Sequence, residues 1–235
     1  MGALDDLLSV QTTDIEIAQA TFQLNNLAEK ARAMAAENAV RAATTERDAL
    51  VARTSQIESE IAEIEARSQV LAREIARLEA QLKTVIAPRE AEALQHEISE
   101  RRAERGSGDE RELSAMDALE DLGVQIAEVS GRVDSLSIAR DEAMRAYATA
   151  RRDAEERIAQ LAQRRSAQSL VVPAALLDVY ERKRKQRPDG AVATLHGPTC
   201  GACHLDLSTT EIATLRSLGE NEHPECPHCG CFIVI

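Results

Sequence analysis

Tryptophan is absent from the 235 residues, and only Phe22, Tyr147, Tyr180 and Phe232 carry aromatic rings. A compact core of this length ordinarily uses more large rings, each of which buries a great deal of surface. A large α/β enzyme core is therefore excluded. No glycine-rich phosphate loop, nucleophile with a neighbouring base, or paired-carboxylate pocket can be found, so no enzymatic activity is expected. Long apolar runs are missing too. Leu170 to Leu177 is among the longest, well short of the roughly 18 residues that cross a bilayer. Asp5 and Asp6 stand where a signal peptide carries Lys or Arg, and Asp6 where a myristoylation motif wants Ser or Thr. These absences lead us to expect a cytoplasmic protein without a membrane partner.

A cationic excess is lacking as well. The net charge is −12 and the pI near 5.0, which disfavours the whole chain as a nucleic-acid coat. The charge is uneven: residues 1–150 carry −12, residues 151–187 carry +5, and residues 188–235 carry −5. Any polyanion contact belongs to the middle block, where Arg182, Lys183, Arg184, Lys185 and Arg187 cluster. Such a run reads either as a phosphate grip or as the solvated face of a linker helix. Tyr180 is the only ring nearby, so a stacking platform for single-stranded bases is not available.

What remains is rich in Ala, Glu, Arg and Leu, the composition of long helices. No Gly or Pro falls between residues 3 and 87, which predicts one helix over about 3–86. Leu4, Leu8, Gln11, Ile15, Ala18, Phe22 and Asn25 keep coiled-coil spacing. A cleaner seam follows in Leu50, Ile57, Ile61, Ile64, Leu71, Ile75, Leu78, Leu82 and Val85. A second seam runs from Leu119 through Leu122, Ile126, Val129, Val133, Leu136, Ala143, Tyr147 and Ala150 to Leu161. Two such segments imply an antiparallel hairpin over 1–170. Its turn is expected near 86–90, where Pro88 suits a first helical position, with a break in the returning helix near Gly106-Ser107-Gly108; the alternative places the turn itself at 106–108. A basic linker helix is expected over 171–190, beginning at Pro173.

Residues 191–235 change character. Ala191–Leu195 and Cys231–Ile235 read as strands, and Ser208 with Glu211 as a capping box opening a short helix that ends at Gly219. All five cysteines lie here. Cys200-x-x-Cys203 and Cys226-x-x-Cys229 stand 22 residues apart, the spacing with which two tight knuckles aim four sulfurs at one ion. The module is too small and too poor in large apolar residues to hold itself together unaided, so one structural Zn²⁺ is expected. Four thiolates leave no open position for water, hence no catalytic metal. Iron–sulfur ligation uses the same donors, and a redox pair would need a thioredoxin-like fold that the pattern does not contain. His204 and His228 adjoin the cysteines and could substitute in a Cys₃His site. Cys231 reads as a small buried strand residue turned away from the knuckle, with competition for the metal as the alternative.

A helical hairpin, then Pro-x-x-Leu-Leu-x-x-Tyr-Glu-Arg at 173–182, then the Cys₄ module resembles the bacterial coiled-coil and C4-type zinc-ribbon proteins. Glu92-Ala93-Leu94-Gln95-His96-Glu97-Ile98 is similar to that family's pattern as well. The resemblance implies an elongated hairpin with a zinc ribbon at its base, held by Cys200, Cys203, Cys226 and Cys229. Some members of that family act in flagellar assembly as chaperone-like proteins that bind the sigma-54 transcription factor and a flagellin transcript. A chlamydial relative is linked to sigma-54 and secretion, and mycobacterial relatives are known mainly by structure. The insertion of Gly106-Ser107-Gly108 and the presence of Cys231 depart from the pattern. The expectation is a non-enzymatic adaptor, monomer or homodimer, that binds protein partners through coiled coil and ribbon. The alternative is a regulator that binds RNA or DNA through the 182–187 cluster.

Overall fold

The computed structural model describes residues 2–219 and 222–235. It is mainly α-helical, a long helical hairpin followed by a small C-terminal sheet. The helices are α1 (Ala3–Asn25), α2 (Ala28–Leu82), α3 (Pro88–Ser169), α4 (Ala174–Gln186) and α5 (Thr209–Arg216). The strands are β1 (Val192–His196), β2 (Thr199–Cys200) and β3 (Phe232–Val234). Contacts gather the chain into two compact units, Arg32–Ala143 and Met1–Ala31 with Met144–Ile235. In the second unit α1 packs with the strands β1 and β3.

In the unit Arg32–Ala143, Ile57, Ile64, Leu71 and Leu78 of α2 are buried at strict seven-residue intervals. That repeat is what lays one stripe of α2 against an antiparallel neighbour. Flanking ion pairs record the register: Arg67 with Glu104 at 2.6 Å, Arg111 with Glu60 at 2.8 Å, and Arg101 with Glu74 at 3.3 Å. The connection falls at residues 83–87, and Pro88 opens α3, with the Ala87 carbonyl accepting from the N–H groups of Glu90 and Ala91. The expected break at 106–108 is not there, since α3 runs through it without interruption. Each glycine weakens a helix by about 1 kcal/mol, and seam packing outweighs that cost. A Cβ at Gly108 would stand 3.7 Å from Ile64 Cγ2. The small residues Ser107 and Gly108 line a groove of about 400 Å³ beside Ile64 and Leu71.

The single helix expected over 3–86 is instead two, divided at Asn26 and Leu27. Asparagine competes with helical hydrogen bonding. Here Asn26 Nδ2 donates to the Phe22 carbonyl at 2.8 Å while its backbone N–H turns to Gln23 O at 3.1 Å. The seam expected along α1 holds only at its start, where Leu4 and Leu8 pack against the core and Gln11 is buried. Phe22 is 69% exposed and Ala18 and Asn25 face solvent, whereas Leu7, Val10, Gln11, Thr13 and Asp14 are buried. The reason lies in what surrounds α1. Leu7 and Val10 enter one core with Val172, Leu176, Tyr180, Val192 and Phe232, so α4 and the strands select the buried face.

The sheet has the order β2-β1-β3, with β1 antiparallel to β2 and parallel to β3. Strand alternation gives it two different faces. Val192 and Phe232 point into the core shared with α1 and α4, while Ala193 and Ile233 point toward the cysteines. At the strand edge Gln11 acts as a substitute peptide group. Its Nε2 donates to Val192 O and its Oε1 accepts from Val192 N–H, both at 2.7 Å. The helix α5 carries the expected capping box, Ser208 with Glu211. It ends at Arg216 with Ser217 as its C-cap, so Gly219 lies beyond the helix and does not serve as its left-handed cap.

Candidate metal centre

Two knuckles of matching backbone geometry present the cysteines. In the first, the His204 N–H donates to Cys200 O at 2.9 Å and the Cys200 N–H to Leu205 O at 3.0 Å. In the second, the Gly230 N–H donates to Cys226 O and the Cys226 N–H to Cys231 O, both at 2.8 Å. The fifth residue of each knuckle must be left-handed: Gly230 has φ +72° and His204 has φ +60°. Glycine takes that conformation freely, and an L side chain does so at a cost. Gly201 is needed for another reason, because a Cβ there would meet Thr194 O at 2.8 Å.

All five cysteines are free thiols. The sulfurs of Cys200, Cys226, Cys229 and Cys231 lie within 4.8 Å of one another. Cys200 Sγ stands 3.6 Å from Cys231 Sγ, Cys229 Sγ 3.3 Å from Cys231 Sγ, and Cys203 Sγ 3.9 Å from Cys226 Sγ. A tetrahedral ion with bonds of about 2.3 Å has sulfur–sulfur edges of about 3.8 Å. Donor chemistry and spacing therefore suit a soft metal ion. His204 and His228 are exposed and stand outside the thiol set.

Electrostatics divide the thiols. Burial opposes ionisation of Cys200, but the backbone N–H groups of Cys203 and Ala202 and the neighbouring thiols outweigh it and bring this group down to about 7. Burial pushes Cys226 up to about 12, against the N–H groups of His228 and Cys229 that are aimed at it. Burial raises Cys231 as well. N–H groups directed at buried sulfur stabilise thiolate, the form that binds metal.

The sequence reading turned Cys231 away from the knuckle, and its side chain points the other way. Phe232 occupies the face toward Tyr180, so alternation sends Cys231 and Ile233 together to the sulfur side. The signal was present in the apolar order of residues 231–233, counted from Phe232 rather than from Gly230.

The basic cluster is split. Lys183 Nζ donates to Gly230 O at 2.6 Å, pairs with Glu225 at 3.0 Å and lies 4.8 Å above the Phe232 ring, fastening α4 to the second knuckle. Arg184 pairs with Asp14 at 2.9 Å and with Glu181 at 3.2 Å. Arg182, Lys185 and Arg187 are exposed. Two of the five cations thus hold the fold together, and three face solvent.

The comparisons agree with this architecture. A model of the CT398-like coiled coil hairpin domain matches residues 10–188. An uncharacterized protein of Mycobacterium tuberculosis, Rv2229c, is 26% identical over 141 residues, 60% of this chain and 57% of that protein. The match thus spans less than two thirds of the relative's own length. A solved structure from Mycobacterium smegmatis superposes with a TM-score of 0.82 at 24% identity, covering 99% of this chain and 97% of that one. The structure of CT398 from Chlamydia trachomatis gives 0.77 at 19% identity, covering 98% and 96%. At these identities the structures share the fold.

Proposed function

Because the chain belongs to the CT398-like coiled coil hairpin domain family, we propose that it is a zinc-binding, non-enzymatic adaptor that holds protein partners. The carrying observation is the donor set. The side chains best suited to chemistry are thiols packed against one another between β1, β3 and Leu207, and four thiolates around Zn²⁺ leave no position for substrate or water. In this reading the metal supplies cross-linking of the two knuckles. The small module has too little apolar surface to order them alone. Cys200, Cys226 and Cys229 hold the ion, with a fourth thiolate completing the site.

Partner binding falls to the helices of the hairpin. Leu113 and Val124 of α3 are 64% and 66% exposed among charged neighbours, a helical face suited to another amphipathic helix. No described helix is long and apolar enough to cross a membrane. Five cysteines without a disulfide accord with a reducing cytoplasm.

Affinity capture of the tagged full chain from native lysate, with and without nuclease, tests this reading. Protein partners should survive nuclease and be lost from the Leu113→Lys/Val124→Lys variant. Partners lost on nuclease treatment would overturn it in favour of the second reading, a nucleic-acid-binding regulator. That reading draws on the exposed Arg182, Lys185 and Arg187. Neutralising these three would then weaken RNA binding and flatten its salt dependence.

A further inference from the structure

Four thiols, those of Cys200, Cys226, Cys229 and Cys231, lie within 4.8 Å of one another, and the fifth, Cys203, stands 3.9 Å from Cys226. Cys200, Cys226 and Cys229 come from the two knuckles and belong to every plausible set. The remaining two stand on opposite sides of them. Cys203 closes the first knuckle, half-buried, with its sulfur 3.9 Å from that of Cys226. Cys231 leads into β3, fully buried, with its sulfur 3.6 Å from Cys200 and 3.3 Å from Cys229. Both distances from Cys231 lie nearer a tetrahedral edge of about 3.8 Å than a disulfide bond of about 2.05 Å. Cys231 makes close approaches to two of the three common thiols, and Cys203 to the third.

The backbone makes the fifth thiol possible. Cys231 stands immediately after the left-handed Gly230, at the position that Leu205 occupies in the first knuckle. Leu205 is exposed, whereas Cys231 is drawn inside by β3, whose next residues pack on both faces of the sheet. An uncoordinated thiol there would face other sulfurs with a weak donor and no strong partner.

We propose that Cys203 and Cys231 are interchangeable fourth ligands: one zinc ion is held by Cys200, Cys226 and Cys229 and by either of these two cysteines. The inference rests on the zinc-binding reading above. Exchange of one thiolate for the other keeps the charge and number of donors constant. It also lets the first knuckle open at Cys203 without loss of the ion, because Cys231 is anchored in the sheet.

The test is sulfur counting by zinc X-ray absorption on the purified full chain loaded with one equivalent of Zn²⁺. Wild type, Cys203→Ala and Cys231→Ala should each show four sulfurs, and the double variant three with one lighter donor. A three-sulfur site in either single variant overturns the proposal, because the other cysteine has then failed to replace it. Alkylation of zinc-loaded wild type provides a readout that needs no variant. Cys203 should be modified while Cys200, Cys226 and Cys229 are protected, and protection of Cys203 equal to theirs overturns the exchange. A wild-type chain that binds no zinc at all would instead remove the underlying metal-binding reading.

Discussion

Replacing Asp14 by alanine should loosen the unit formed by the chain ends. The Asp14 carboxylate is 4% exposed, accepts from Tyr180 Oη at 2.8 Å and Arg165 Nε at 2.9 Å, and forms an ion pair with Arg184 at 2.9 Å. It therefore joins α1 to the end of α3 and to α4. Removing one partner of a buried ion pair costs about 3–5 kcal/mol. The guanidinium groups here are 24% and 35% exposed and both keep Glu181 as a second partner. The loss should thus sit near the lower bound, about 3 kcal/mol. Tyr180→Phe removes only one hydrogen bond to a charged acceptor, about 2 kcal/mol. The two act on a shared bond, so the double variant should lose about 3–4 kcal/mol and not the sum. Native-state hydrogen exchange of residues 174–186 and 192–196 measures the opening of this unit by itself, which bulk denaturation of a two-unit chain does not. An Asp14→Ala protein within about 0.5 kcal/mol of wild type, the ordinary range for a surface change, would refute the reasoning. So would strict additivity in the cycle.

Other expectations follow from the knuckles and from Tyr180. Gly230→Ala forces a Cβ onto φ +72° and should cost about 1–2 kcal/mol, read as earlier chelator-induced metal release. Gly201→Ala brings a Cβ to 2.8 Å from Thr194 O and should disturb the β1–β2 pairing, seen as faster exchange at the amide of residue 201; unchanged exchange would contradict the contact. Cys226→Ser, or removal of zinc by a chelator, should abolish protection in β1 and β3 while residues 32–143 stay helical by circular dichroism. Global loss of helix would speak against two separately packed units. Burial and the bond to Asp14 hold Tyr180 protonated above the usual tyrosine range. The unfolded chain gives up that proton near pH 10, so this contribution to stability is intact below pH 10 and fades above it. Tyr180→Phe should remove that alkaline decline.

The helical hairpin could be read directly from the amino acids. Ile57, Ile64, Leu71 and Leu78 repeat every seven residues, Pro88 marks a helix start, and Ser208 with Glu211 marks another. Each is a local signal whose energetic effect is felt within a turn or two of chain. Composition alone also excluded a large aromatic-rich core, and two Cys-x-x-Cys pairs named a thiol site before any coordinate did.

Where the partner lies far along the chain, the local pattern misled. Leu4, Leu8, Gln11, Ala18 and Phe22 have the spacing of a seam, and its start packs on the core, yet Ala18 and Phe22 face solvent while Leu7, Val10 and Asp14 are buried. Its neighbours are Tyr180, Val192 and Phe232, more than 150 positions away, and no periodicity within α1 encodes where they sit. Gly106 and Gly108 carry a local tendency to break a helix, which the seam against Ile64 overrides because packing along the whole hairpin exceeds a cost of about 2 kcal/mol. Lys183 and Arg184 look like any other members of a basic run until folding brings Gly230, Glu225 and Asp14 to them. Cys231 became a neighbour of Cys200 only when β3 paired beside β1 and Phe232 took the opposite face. Short-range periodicity and capping determined the elements. Which face each one buries was a choice made by its distant partners, because burial is settled by what is packed against a surface and not by the surface alone.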